Sequence, residues 1–294
     1  MKRGSISAQF VGLSGRRIFV MQRKPAGATR HGSGVLVVPP FGEEMNKSRR
    51  LMSETAERLC QSGATVFQPD LFGTGDSEGV FRDARVDLWI EDLDITCRHA
   101  ATLGSPVRAI VAVRLGCALA VAAKRRGVLP AVAASAWWQP VLDGKRFLTQ
   151  FLRLRVSAAG IRGDAPATVE SLLRRSADGE TLEVAGYELS PSLLLGLEGL
   201  AIDSFPSQIG DLHWFEIVRE EGAALQLSTT RFIDRARAGG AGASVTLNSV
   251  VGEPFWASTA IVRLPRLVEQ TASALGAALS ATQDRSSPDS RANA

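Results

Sequence analysis

The chain has 294 residues, a length that suits one large domain or two small ones. Its composition, 45% hydrophobic and 22% charged, excludes disordered, collagen-like and coiled-coil proteins. The net charge of +4 comes from basic residues in scattered pairs and a triplet rather than in one long tract, so we predict no nucleic-acid partner.

The first part of the chain alternates between strand and helix patterns. Residues 6–23 alternate around a glycine-containing turn, which predicts a two-stranded hairpin. The run 34–39 is short, apolar and rich in β-branched residues, as is typical of a strand buried on both faces. Helical spacing over 48–63, followed by the apolar run 64–68, completes a strand–helix–strand unit with parallel strands.

The same alternation continues to residue 138 and returns near the end of the chain. It predicts helices at 86–103, 116–126, 228–238 and 264–279, and strands at 107–113, 131–138, 212–218 and 244–251. Repeated units of this kind predict an α/β fold with a mostly parallel, doubly wound central sheet and helices on both faces.

One segment interrupts this alternation. Residues 144–205 show helical periodicity without a convincing strand, and we interpret them as a mostly helical cap. The core is then a single discontinuous domain, residues 1–143 and 206–280. Residues 281–294 are rich in Ser, Asp, Arg and Asn, so we expect a disordered tail. No window is apolar enough for a transmembrane segment or a signal peptide.

Ligands of open α/β sheets bind beyond the carboxyl ends of the strands, so the loops there carry the candidate chemistry. Loop 70–79, Asp-Leu-Phe-Gly-Thr-Gly-Asp-Ser-Glu-Gly, resembles a turn of the α/β-hydrolase superfamily. Turn 112–116 has the small flanking residues of that superfamily's nucleophile elbow, but its central residue is Arg114. We therefore predict an α/β-hydrolase fold with a degenerate elbow.

The histidines do not complete a Ser-His-Asp triad. The superfamily's base follows the last strand, where this chain reads Gly-Glu-Pro-Phe-Trp. His31 precedes a predicted strand, His99 lies within a predicted helix, and His213 lies inside a predicted strand. We interpret all three as surface or structural residues and predict that the standard triad mechanism is missing.

Longer motifs resemble one particular family. They are Pro-Pro-Phe-Gly-Glu-Glu-Met-Asn-Lys-Ser-Arg-Arg (39–50), Trp-Gln-Pro-Val (138–141) with Gln-Phe-Leu-Arg-Leu-Arg (150–155), Ala-Gly-Tyr-Glu-Leu (185–189) and Gly-Glu-Pro-Phe-Trp (252–256). Together they resemble the exosortase A system-associated hydrolase type 2 family, named for bacterial gene neighbourhoods of exopolysaccharide production and PEP-CTERM sorting. The resemblance implies a hydrolase with a small-molecule substrate and a partner in an exosortase or exopolysaccharide system.

Arg114 is the leading candidate for the site, because an elbow projects its central side chain into the pocket. A guanidinium there needs an anion, supplied either by a substrate or by Glu43, Glu44, Asp76 or Glu253. We predict three catalytic residues, with Glu44 or Glu253 as the general base and Arg114 stabilising negative charge. The structural alternative for Glu43 and Glu44 is that these acidic residues stabilise the N-terminus of a helix.

Five residues are predicted to bind substrate: Phe41, Gly42, Glu43, Asp76 and Trp256. Asp76 also suits an ordinary turn, and Trp256 could simply cover the end of the sheet. Three widely spaced cysteines and the absence of a Gly-x-Gly-x-x-Gly fingerprint predict no metal, no cofactor and a reduced, cytoplasmic chain. The alternative function is a non-catalytic binding or scaffold protein that keeps the fold without the triad.

Overall fold

The computed structural model describes residues 4–13, 16–27, 32–162, 167–203, 209–238 and 244–286. Eight strands of this part of the chain form one sheet in the order β1-β2-β4-β3-β5-β6-β9-β10. The strands are β1 (Ser5–Leu13), β2 (Arg16–Lys24), β3 (Gly34–Val38), β4 (Thr65–Pro69), β5 (Val107–Val113), β6 (Ala134–Trp138), β9 (Asp211–Val218) and β10 (Val245–Val251). The pairs β1–β2 and β2–β4 are antiparallel, and the others are parallel. The predicted mostly parallel sheet is confirmed.

The described part of the chain contains eight α-helices. They are α1 (Glu43–Gln61), α2 (Val86–Thr102), α3 (Leu115–Arg125), α4 (Gly144–Arg162), α5 (Val169–Ala177), α6 (Pro191–Glu198), α7 (Leu227–Ala238) and α8 (Pro265–Ser286). Of these, α1, α8, α2 and α3 cover the two faces of the sheet. Strand β5 shows why two cores arise: Val111 and Val113 belong to the cluster with α1 and α8, whereas Ile110 and Ala112 belong to the cluster with α2 and α3. Successive strand residues face opposite sides, so a fully apolar strand supplies both cores.

The segment predicted as a cap contains more than helices. Besides α4, α5 and α6 it holds a short antiparallel hairpin, β7 (Leu182–Val184) and β8 (Tyr187–Leu189), so the expectation of no strand between 144 and 204 is wrong. Ala185 and Gly186 adopt φ of 50° and 84°, the positive values of a tight two-residue hairpin turn. A glycine between Val184 and Tyr187 was the sequence signal for this turn.

Two element boundaries differ from the sequence-based expectation. Helix α1 begins at Glu43 rather than near residue 48, which places Glu43 and Glu44 in its first turn. Helix α8 continues through Ser286, so the first six residues assigned to the tail are helical, and residues 287–294 lie outside the described residues. The predicted cap boundary at 205/206 also falls outside them. Within the described ranges, no helix is both long and apolar enough to cross a membrane.

Candidate active site

Arg114 occupies the tight turn between β5 and α3, as the sequence predicts. Its backbone has φ 55° and ψ −119°, a region that a residue with a side chain enters at a cost of about 1 to 3 kcal/mol. Gly116 makes the turn feasible, because a Cβ there would lie 2.6 Å from the carbonyl oxygen of Pro39. Ala112, on the other flank, is fully buried. The elbow geometry is therefore retained without a nucleophilic side chain.

The guanidinium of Arg114 is held by three groups from three separate segments of the chain. Its Nη2 lies 3.1 Å from Oε1 of Glu44, and its Nη1 donates to the main-chain carbonyl of Gln139 at 3.1 Å. Its Cζ lies 4.5 Å from the centre of the Trp256 ring, a cation–π contact. The side chains of Arg114 and Glu44 are 13% and 18% exposed, so this cluster is mostly buried but still reached by solvent.

Glu44 combines a helix N-terminus with the elbow. Gly42 caps α1 with φ 55°, which turns the chain so that the first helical residues follow directly after the loop. Burial raises the pKa of the Glu44 carboxyl above its ordinary value, although Arg114 and Lys47 both act in the opposite direction. Both interpretations of this acid therefore apply, since it lies in the first turn of α1 and also pairs with the arginine.

The loop after β10 supplies Trp256 where a hydrolase triad would carry histidine. Phe255 is 1% exposed and packs edge-to-face on Trp138, with ring centres 6.1 Å apart. The neighbouring ring of Trp256 is perpendicular to it and lies over Arg114. Trp256 therefore contributes a cation–π contact, and its side chain cannot act as a proton acceptor.

Among the described residues Glu253 makes no hydrogen bond or ion pair with Arg114 or Glu44, so of the three predicted catalytic residues only Arg114 and Glu44 are in contact. Glu253 is exposed, and its carboxylate accepts a 3.5 Å bond from Ser258. The reason is the burial of Phe255, which fixes the orientation of this short loop and leaves Glu253 facing solvent.

Glu43 and Asp76 also lie outside the contacts of Arg114. Glu43 is exposed and bonded to Asn46 and to the hydroxyl of Tyr187. Asp76 is exposed, and its main-chain N–H donates to the buried carboxylate of Asp70 at 3.0 Å. The latter contact favours the turn-forming role for Asp76.

Loop 70–79 also contains the residue spacing of a serine nucleophile elbow. Residues 75–79, Gly-Asp-Ser-Glu-Gly, match the Gly-x-Ser-x-Gly spacing of a serine elbow. Ser77 instead follows β4 in a loop, where its hydroxyl donates to the carbonyl of Asp70 at 2.5 Å and accepts from the N–H of Phe19 at 2.8 Å. These bonds tie the loop to β2, and the turn is not a strand-to-helix elbow.

Phe41 fills the space above the elbow. It is 5% exposed and makes edge-to-face contacts with four aromatic rings, those of Phe81, Trp89, Phe147 and Phe151. The latter two belong to α4, so the cap segment packs directly on the loop after β3. The cavity beneath has a volume of about 20 Å³, enough for about one water molecule. Leu115 and Gly116 line it, whereas Arg114 and Glu44 do not.

The histidines and Cys117 are the other candidate groups for acid–base or metal chemistry. His31 lies outside the described residues. His99 and His213 are in α2 and β9, and burial lowers the pKa of each. Cys117 beside the elbow is buried, which raises the pKa of its thiol and agrees with a packing role. Within the described ranges, no group of three or more His, Cys, Asp or Glu is placed to hold a metal ion.

Two residues at the site are missing from the sequence-based predictions. Gln139 follows β6 with φ 44°; its carbonyl receives Arg114 and its side-chain oxygen accepts from the N–H of Ile217 at 2.7 Å. Tyr187, from the unpredicted cap hairpin, contacts Glu43. Two signals pointed to Gln139: it follows a predicted strand, and it belongs to the motif Trp-Gln-Pro-Val at 138–141.

The strand order, the parallel crossovers and the elbow define this protein as a member of the α/β-hydrolase fold class. No protein-family model and no curated protein matches the chain. Solved structures do match. Est1E from Butyrivibrio proteoclasticus, bound to ferulic acid, is 13% identical with a TM-score of 0.66 and covers 94% of this chain and 100% of its own. Mouse α/β-hydrolase domain-containing protein 10 is 16% identical, with a TM-score of 0.54 and coverage of 96% and 100%.

An esterase domain from a Rhodothermus marinus protein is 17% identical, with a TM-score of 0.54, and the match covers 93% of this chain and 97% of that one. Structural matches at identities this low show a shared fold and no more. The chemistry has to be argued from the site itself.

Proposed function

We propose that the chain is an atypical hydrolase that cleaves a small ester or acyl substrate without a covalent intermediate. The observation that carries the proposal is a carboxyl of raised pKa, Glu44, paired at 3.1 Å with the elbow residue Arg114. A general base works best when its pKa is near the working pH, and burial moves Glu44 in that direction. A guanidinium beside it can stabilise an oxyanion.

The proposed reaction uses solvent water. Glu44 accepts a proton from water while the water oxygen bonds to the substrate carbonyl carbon, and the resulting oxyanion lies beside Arg114. The bond from carbon to the leaving oxygen then breaks, and that oxygen takes the proton from Glu44. Since Arg114 and Glu44 do not line the small cavity under Phe41, substrate approaches the solvent-exposed side of the pair.

A second candidate is a non-catalytic binding or scaffold protein. One specific observation favours it: the guanidinium of Arg114 already has an anionic partner in Glu44, a carbonyl partner in Gln139 and an aromatic partner in Trp256. A charge satisfied in this way can stabilise the elbow without any substrate.

An esterase assay separates these candidates. The full chain and three variants, Glu44→Gln, Arg114→Met and Glu253→Gln, are tested on p-nitrophenyl acetate and butyrate. For the hydrolase we expect Glu44→Gln to lower kcat by about 100-fold or more, and wild-type turnover to rise with pH through the raised pKa of Glu44. Glu253→Gln is the matched control, because it removes an exposed carboxylate that does not contact Arg114. Absence of wild-type turnover in folded protein would instead identify the scaffold.

We propose a cytoplasmic role connected with an exosortase or exopolysaccharide system for this activity. Support comes from the four motifs at 39–50, 138–155, 185–189 and 252–256, which resemble the exosortase A system-associated hydrolase type 2 family. The test compares kcat/KM for acetylated monosaccharides with that for p-nitrophenyl acetate. A preference for the sugar esters is expected, and a uniform low rate on both would contradict this assignment.

A further inference from the structure

A second cavity lies between α1 and the β1–β2 hairpin, on the face of the sheet that packs against α1 and α8. Its volume is about 410 Å³, within the usual range of small-molecule sites. Its lining is more apolar than polar, and the apolar part includes Ile6, Phe19, Met21, Val37, Met45 and Met52. Arg49 and Asp70, an ion pair at 3.6 Å, and Arg50 also line it. It shares Pro39 and Met45 with the cavity under Phe41, and neither Arg114 nor Glu44 lines it. It is therefore separate from the elbow.

One face of α1 forms a long wall of this cavity. Met45, Arg49, Met52 and Ser53 line it, and this spacing places the four residues on one side of a helix. The eight steps from residue 45 to residue 53, at about 1.5 Å each, span about 12 Å. The wall is thus long enough for an extended ligand, with methionines that adapt to its shape.

A buried arginine with incomplete charge compensation lies at the Ser53 end. Arg23 is 9% exposed and lines the cavity. Its Nη2 donates to Ser53 at 2.7 Å, but Nη1 reaches the carboxylate of Glu57 only at 3.4 Å. Its Nε has no hydrogen-bond partner among the described residues. A buried guanidinium is stable when an anion pairs with it closely, so this end of the cavity favours an anionic group.

Gln68 adds a second incompletely bonded group on the same wall. The residue opposite Gln68 on β2 is Met21, so the side chains of these two residues lie on the same face of the sheet. Arg23 lies two residues after Met21 on β2 and therefore shares that face. Gln68 lines the cavity, and its Oε1 has no partner within the described part of the chain. The terminal amide of glutamine rotates easily and offers both a donor and an acceptor, so it can turn toward a ligand oxygen.

We propose that this cavity binds a small amphipathic carboxylate, an apolar chain or ring that ends in one carboxylate group. The carboxylate lies beside Arg23 and Gln68, where the planar guanidinium can bind both oxygens. The apolar part extends along Met21 and Met52 toward Met45. Glu57 is 47% exposed and does not line the cavity, so water can solvate it when Arg23 turns to the ligand.

Decanoate is the probe, and isothermal titration calorimetry on the full chain measures its binding. We expect saturable binding of decanoate, with decylammonium binding at least about tenfold more weakly because its head group has the wrong charge. Arg23→Met should weaken decanoate at least about tenfold. Glu57→Gln should strengthen it, because the competing carboxylate is gone. Glu269→Gln removes a carboxylate that is paired to Arg58, away from the cavity, and should leave the affinity unchanged.

A photoreactive diazirine analogue of decanoate tests the location in the unaltered protein, independently of how Arg23→Met folds. Crosslinks are expected in peptides from β2 and α1. The proposal is overturned by absence of saturable binding, by equal affinity for decylammonium, by the same affinity in Glu57→Gln as in Glu269→Gln, or by crosslinks elsewhere. None of these results depends on turnover at Arg114, so the two proposals can fail separately.

Discussion

Replacing Arg114 with methionine measures what the buried pair contributes to stability. Removal of one partner of a buried ion pair costs about 3 to 5 kcal/mol, because the other charge is left without compensation. The side chains of Arg114 and Glu44 retain 13% and 18% exposure, and methionine keeps an apolar contact with Trp256. We therefore expect a loss at the low end, about 3 kcal/mol of the free energy of unfolding at pH 8.

The loss should depend on pH in a defined direction. Burial already raises the pKa of Glu44 above its ordinary value of 4.5, and removal of Arg114 takes away an influence that lowers it. A carboxyl whose pKa is higher in the folded state binds more protons when folded. Its contribution to stability is then largest below the unfolded pKa and is lost as the pH rises through the folded pKa. Arg114→Met should accordingly lose more stability at pH 8 than at pH 5.

Urea denaturation, followed by tryptophan fluorescence, measures the loss in free energy of unfolding and its dependence on pH. Wild type, Arg114→Met, Glu44→Gln and the double variant are compared at pH 5 and pH 8. We expect the double variant to lose about 1 to 3 kcal/mol less than the sum of the single losses, since each single change leaves an unpaired charge. Additive losses, or an equal loss at both pH values, would refute the inference that the two side chains stabilise one another.

Three further outcomes are expected. Gly116→Ala should cost about 1 to 3 kcal/mol, measured by thermal melts, because its Cβ would lie 2.6 Å from a main-chain oxygen. The control Gly276→Ala, in α8 with its nearest neighbour at 3.8 Å, should be neutral or stabilising in the same measurement. Phe41→Ala should cost about 3 to 5 kcal/mol by urea denaturation, and the exposed control Phe10→Ala much less; similar losses would contradict the aromatic packing. Serine-directed phosphonates should leave the intact chain unlabelled by mass spectrometry, because the elbow holds Arg114; stoichiometric labelling of one serine would contradict the absence of a triad.

Local patterns predicted most of what positions the site. The apolar run of β5 and the small residues at 112 and 116 were enough to place Arg114 at the elbow. The turn requires small residues two positions before and after its central residue, and these positions can be read directly from the sequence. The sequence also offered Glu44 as one of several partners for the arginine. The choice among them was not local, since Glu43 and Glu44 are neighbours and only the start of α1 decides which carboxylate turns inward.

The missed features depend on contacts between distant segments. Glu253 faces solvent because Phe255 is buried against Trp138 and fixes the orientation of the loop. The five-residue motif alone does not reveal which of its side chains is buried. Gln139 reaches Arg114 through its main-chain carbonyl, which every residue type possesses, so its identity gives no signal. Strand β7 is only three residues long, too short for a periodicity test.

The cation–π contact at the elbow also determines which exchanges would be needed to build serine-hydrolase chemistry on this fold. A single exchange of Arg114 for serine would place a hydroxyl beside Glu44 and the indole of Trp256, with no imidazole to activate it. At least one more exchange, in the loop after β10, would be required before any gain of nucleophilic chemistry. The single variant Arg114→Ser would therefore lack the ion pair with Glu44 and would still have no imidazole base.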